Sequence, residues 1–171
     1  MNRLDKGSAL VLGWAIATVC LLVGAYLSTF LQFPLGYLFY GLGLWQSPPE
    51  WRIPHIAFFL RKIVFEYEII IYMILGVVAG SVICLFHPDY GTKSSSNYQR
   101  VLWITIFTLL GVLFLISVFI DVLTSYELSA KKVIASLLYS SVIDFTLLSV
   151  SLWSASWLYP KAYELAMRYF D

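Results

Sequence analysis

Residues 133–158 read VIASLLYSSVIDFTLLSVSLWSASWL, and Asp144 is the one charged side chain among them. A helix of this length rises about 39 Å, enough to cross a bilayer core of roughly 30 Å with some tilt. An aspartate in the middle of such a helix costs about 2.5–3.5 kcal/mol on insertion scales. Asp144 therefore needs a partner, a proton or water, and it is the leading functional candidate in the chain.

Three other blocks are as apolar as this one: residues 9–33, 69–86 and 101–120 carry no charge and no proline. Backbone groups in lipid must be satisfied within a helix or a closed barrel, and no barrel-like alternation recurs. The sequence therefore predicts an all-α membrane protein with four transmembrane helices. We expect the spans at about residues 9–33, 63–86, 101–122 and 133–159 of a single integral membrane domain, 1–171.

Composition excludes two broad classes of protein. Of the 171 residues, 60% are hydrophobic and 12% charged, with a mean hydropathy of +0.81. Soluble domains carry about 25% charged residues, so a water-soluble globule is excluded. The formal net charge is +1, and no basic stripe is present that could follow a nucleic-acid backbone. We expect membrane lipid to surround most of the chain.

The stretch between the first two spans, residues 34–62, has the least regular pattern. Pro34 follows the first span, glycines and aromatics fill residues 36–45, and Pro48 and Pro49 break any helix. We expect an interfacial segment or a re-entrant loop here, and both interpretations stay open. The charges expected at the membrane surface are Arg52, Arg61, Lys62, Glu66 and Glu68.

The chain should end in a short amphipathic surface helix, residues 160–171. Glu164 and Arg168 are spaced for an i,i+4 ion pair, and Pro160 is suited to the first turn of a helix.

Positive charge orients the four spans weakly. Six Lys and Arg residues fall on the side of the termini and five on the other, a small bias for the positive-inside rule. If residues 9–46 formed a hairpin of two short helices, seven Lys and Arg residues would lie on one side of the membrane and four on the other. We prefer four spans, with both termini on the cytoplasmic side of a bacterial inner membrane.

Helix-packing signals occur in two spans. Gly76 and Gly80 form a GxxxG motif in the second, where small residues four apart let two helix backbones approach closely. The partner is either another span of this chain or another subunit. In the fourth span, Ser136, Ser140 and Asp144 recur every four residues on one face, and Ser151 lies near the same line.

No catalytic constellation, phosphate-binding loop, metal-ligand spacing or cofactor motif is recognisable. We therefore expect no enzyme, no cofactor and no soluble small-molecule substrate. The favoured hypothesis is a structural or accessory subunit of a larger membrane assembly, such as a secretion, conjugation or energy-transducing apparatus. Its partners would be other membrane subunits or further copies of the chain. The alternatives are a transporter or channel component that uses Asp144 as a proton or cation site, and a membrane immunity or exclusion protein.

Overall fold

A computed structural model describes residues 6–44, 68–86, 95–124 and 130–170. Four helices account for nearly all of them: α1 (Lys6–Gly41), α2 (Glu68–Phe86), α3 (Ser95–Thr124) and α4 (Ala130–Phe170). Each of these four is long and apolar enough to cross a membrane. The prediction of an all-helical fold with four helices able to span a membrane is confirmed for the described ranges. The expected interfacial stretch from Arg52 to Lys62, and Glu66 after it, lie outside them.

Helix α1 does not end before Pro34, contrary to the boundary expected at residue 33. It continues through Pro34 to Gly41, so the expected interfacial or re-entrant segment cannot begin at residue 34. Proline removes only its own N–H donor, whereas ending the helix would leave four carbonyl groups without helical partners. In an apolar medium one lost hydrogen bond is the smaller cost, and transmembrane helices tolerate proline for this reason.

A glycine cap ends α1. Gly43 has a φ of +65°, in the left-handed region. The Gly43 N–H donates to Tyr40 O at 2.9 Å, and the Leu44 N–H donates to Phe39 O, also at 2.9 Å. This pair of bonds is the Schellman motif, which satisfies the last carbonyls of a helix and suits glycine at the left-handed position.

Helix α4 runs through Pro160 as one continuous helix of 41 residues. The separate surface helix expected at residues 160–171 is instead the last part of α4. Tyr163 in this part is only 7% exposed and lies 6.1 Å from Tyr159, ring centroid to ring centroid. At about 1.5 Å per residue α4 is ~62 Å long, twice a bilayer core, so its ends extend beyond the hydrocarbon.

The bundle is organised around α1, which packs against α2 and α4. Helix α3 packs mainly on α4 and less closely on α2, so it lies at the edge of the described bundle. The core contains mostly small and aliphatic side chains, with Ala17, Leu21, Ala79 and Leu148 at 0–1% exposure. Large apolar side chains such as Leu115, at 67%, cover the outside, as expected of a surface that faces lipid.

The two glycines of the second span both face α1. A Cβ on Gly80 would meet backbone atoms of Gly13, and one on Gly76 would meet Thr18. Next to this contact, the Trp14 Nε1–H donates to Ser81 Oγ at 2.8 Å, and Ser81 Oγ donates to Val77 O at 2.7 Å. In this structure the contact surface of Gly76 and Gly80 is therefore another span of the same chain.

One turn beyond Gly80, near the C-terminal end of α2, a buried tyrosine joins three helices. The Tyr159 hydroxyl of α4 donates to Ala9 O of α1 at 3.3 Å, and it lies 3.2 Å from Cys84 Sγ of α2. Tyr159 is fully buried, so its hydroxyl has to find its partners within the protein.

Candidate intramembrane site

Asp144 lies on the side of α4 that faces the other helices. On this side, the residues that precede Asp144 are less buried than those that follow it. Toward the C-terminus the same face carries Leu148, Ser151 and Ala155, which are 0–1% exposed. Toward the N-terminus it carries Ser140, partly buried, and Ser136, exposed. Asp144 itself is partly buried. Among the described residues, this face of α4 therefore becomes less buried from Asp144 toward the N-terminus of the helix.

The contacts between α1 and α4 place Asp144 between two fixed points. On one side the Tyr139 hydroxyl donates to Gln32 O at 3.0 Å. On the other side Gly24 lies against Ser151, and a Cβ on Gly24 would come within 3.6 Å of Leu147 O. Helices α1 and α4 are therefore in contact both before and after Asp144 along α4, and these contacts fix the position of its backbone in the bundle.

The hydroxyl groups near Asp144 on α4 donate to the backbone of their own helix. Ser140 Oγ lies 3.0 Å from Ser136 O and 3.3 Å from Leu137 O, and it donates to these carbonyls. Thr146 Oγ1 donates to Val142 O at 2.8 Å. Such bonds are the usual way for Ser and Thr to satisfy their hydroxyls in a helix. These two hydroxyls therefore do not donate to the carboxylate.

Within the described ranges Asp144 makes no hydrogen bond and no ion pair, and no three His, Cys, Asp or Glu side chains gather around a common point. An intramembrane carboxylate in this setting requires a cation, a hydrogen-bond donor or a proton.

Helix α3 covers the neighbourhood of Asp144 incompletely. Its Phe107 ring lies 6.0 Å from Phe145, centroid to centroid. One turn further on, a Cβ on Gly111 would meet no atom within 4 Å. Leu115 and Phe119 are then 67% and 65% exposed. The C-terminal half of α3 therefore leaves an open face on the described bundle at this level.

The four polar residues singled out in the fourth span thus have different surroundings. Ser136 is exposed, Ser140 and Asp144 are partly buried, and Ser151 is 1% exposed. Ser151 Oγ is buried against Gly24 and has no hydrogen-bond partner in the described part of the chain. Glu68 is the first residue of α2.

Sequence reasoning missed the part of α1 that meets this site. Gly24 and Ser28 are both buried, four residues apart, and Ser28 Oγ donates to Ala25 O at 2.8 Å. Small residues at this spacing are the usual signal of a close helix contact. The signal was therefore present in the first span and would have identified the surface that packs on α4.

A separate open groove of about 330 Å³ lies between α1 and α4. Its lining is apolar apart from one hydroxyl, and consists of Leu31, Pro34, Leu35, Leu38, Val142, Ile143 and Thr146. That hydroxyl, on Thr146, donates to Val142 O, so the groove offers hydrocarbon surface and no polar chemistry. Asp144 is not part of this lining.

Comparison of the chain with protein-family models, with curated proteins and with solved structures finds no match. The assignment of function accordingly depends on the geometry of the site alone.

Proposed function

We propose that this protein is a structural or accessory subunit of a larger membrane assembly, held to its partner at Asp144. The observation that carries the proposal is a carboxylate in the middle of an apolar helix, partly buried and unpartnered within the described ranges. Since such a group is costly in lipid, it marks a contact that the isolated bundle does not supply.

The surroundings of Asp144 support an assembly role. On the face of α4 that carries Asp144, burial falls toward Ser140 and Ser136, whose small side chains let another helix approach closely. A secretion, conjugation or energy-transducing apparatus is the kind of assembly that we propose.

The proposal extends to location and orientation. We place the protein in a bacterial inner membrane with both termini in the cytoplasm, because six of the eleven positive residues lie on that side. From the sequence we also propose that the residues following Leu44 form the interfacial or re-entrant segment expected after the first span.

Blue-native electrophoresis after mild detergent extraction tests the subunit role. We expect the parent protein to migrate in a complex well above its own 19.5 kDa. Asp144→Asn should shift it to the size of the free protein, since an amide cannot replace the charge at the contact. Ser149→Ala, a neighbouring change on the same helix, should leave the complex intact. Migration of the parent protein as a lone species would refute the proposal.

The rival function is a proton or cation pathway through Asp144, favoured by its depth in the membrane. It predicts that Asp144→Asn abolishes flux in proteoliposomes while the complex stays assembled. The assembly role predicts the reverse, with loss of the complex and no flux in the parent protein.

A further inference from the structure

The counter-charge of Asp144 can be sought first within the chain itself. The four apolar blocks, residues 9–33, 69–86, 101–120 and 133–158, contain no Lys, Arg or His. A second copy of the chain has the same spans, so at this depth it could offer Asp144 only another carboxylate. Two carboxylates in contact repel unless they share a proton. Self-association therefore does not supply a cation at the centre of the membrane.

The neighbouring side chains do not stabilise the charge either. Ser140 donates to Ser136 O and Leu137 O, and Thr146 donates to Val142 O. On the side of the core, Leu148 and Ala155 are apolar and at most 1% exposed, and the Ser151 hydroxyl is buried against Gly24. A donor for the carboxylate must therefore approach from the side of α4 that the described bundle leaves open.

That side has the shape and the chemistry of a helix-docking face. It runs from Asp144 to Ser140 and Ser136, with rising exposure and short side chains. Small side chains on one helix allow a second helix to come close enough for a side chain to reach the carboxylate.

We infer that Asp144 pairs with a single Arg or Lys in a transmembrane helix of a different protein, which docks along the Ser136–Ser140–Asp144 face. This inference rests on the proposed function and names the chemistry of the partner. Charge complementarity favours this occupant, because an arginine fork or an ammonium group supplies both the opposite charge and the missing hydrogen bonds.

The probe is a set of synthetic 22-residue Leu/Ala transmembrane peptides that carry Arg, Leu or Asp at the centre. The full-length protein, labelled with a donor fluorophore at its N-terminus, is reconstituted in phosphatidylcholine vesicles, and energy transfer to acceptor-labelled peptide is measured. We expect the Arg peptide to bind at least about threefold more tightly than the Leu peptide, given typical energies of polar contacts between helices.

Variants of the acid locate the effect. Asp144→Asn should remove the preference for the Arg peptide, and Asp144→Glu should keep it, which separates loss of charge from misfolding. Asp121→Asn changes an aspartate of α3 and should have no effect. The double variant Arg61→Gln/Lys62→Gln should also keep the preference.

Three results would overturn the inference. Equal binding of the Arg and Leu peptides would show that no cation is recognised. A stronger preference for the Asp peptide would show a shared proton between acids. A marked gain in Arg-peptide binding in the Arg61→Gln/Lys62→Gln variant would show that the chain supplies its own cation. If the native complex is large on a blue-native gel while the peptides are not distinguished, the basic partner is refuted and the subunit role stands.

Discussion

Gly13 of α1 and Gly80 of α2 are in backbone contact, and a Cβ on Gly13 would lie 2.8 Å from the carbonyl oxygen of Gly80. Because main-chain atoms meet main-chain atoms at this contact, neither helix can relieve a clash by rotating a side chain. The first two spans are therefore locked at one distance by two residues that have no side chains.

Gly80→Leu should separate α1 from α2. Overpacking of a tight contact typically costs about 1–3 kcal/mol, and here a Cβ already meets the backbone of Gly13. The free energy of unfolding, measured by denaturant titration in detergent, should fall by that amount. Gly111→Leu is the matched control, since a Cβ at Gly111 meets nothing within 4 Å, and its effect should stay within about 0.5 kcal/mol. Equal losses in the two variants would contradict the contact.

Tyr159→Phe should destabilise the junction of three helices. The change removes the hydroxyl that donates to Ala9 O and lies beside Cys84, and it leaves a buried carbonyl with one partner fewer. We expect a loss of about 1–2 kcal/mol in the free energy of unfolding. Tyr37→Phe removes a hydroxyl from an exposed ring and should have little effect. A Tyr159→Phe variant as stable as the parent would show that this hydrogen bond contributes nothing.

The Trp14–Ser81 hydrogen bond is suited to a double-mutant cycle. Trp14→Phe and Ser81→Ala each remove one partner of the 2.8 Å bond between α1 and α2. Hydrogen bonds between membrane helices contribute about 0.6 kcal/mol on average, so the coupling energy should be of that size. Strict additivity of the two single variants would refute an energetic link.

Aromatic side chains hold α3 on α4. The Trp103 and Trp153 rings lie 6.2 Å apart, centroid to centroid. Trp153→Leu should weaken this docking, and hydrogen exchange of the α3 amides should rise while that of α1 stays unchanged. Trp157→Leu is the control, because Trp157 is 61% exposed and its ring contacts Lys161 of its own helix. Faster exchange in α3 after the Trp157 change, to the same extent, would contradict the docking role.

The sequence predicted the four spans because length and hydropathy alone decide them. It placed two helix ends wrongly, and both errors came from proline. The sequence pattern predicts a helix boundary at Pro34 and another at Pro160, yet each proline lies inside a continuous helix. In lipid the cost of an interrupted helix exceeds the cost of one missing donor, so rules derived from water do not apply. The true end of α1 had a visible signal in Gly43, which occupies the left-handed cap position.

The surroundings of Asp144 were only partly predictable. A four-residue spacing places Ser140 and Asp144 on one face of α4. It does not reveal where the Ser140 hydroxyl points, because a backbone carbonyl one turn away competes for the same proton. The register between α1 and α4 was likewise hidden, since it depends on the fit of Gly24 against Ser151, which no single span encodes.

The unbroken course of α4 through Pro160 has a mechanical consequence. Asp144 and Arg168 belong to the same 41-residue helix, about six to seven turns apart. A tilt or rotation of α4 at the level of Asp144 would displace Arg168 near the C-terminal end of the same helix. The helix thereby connects a carboxylate at bilayer depth to a residue about 36 Å further along the same rod.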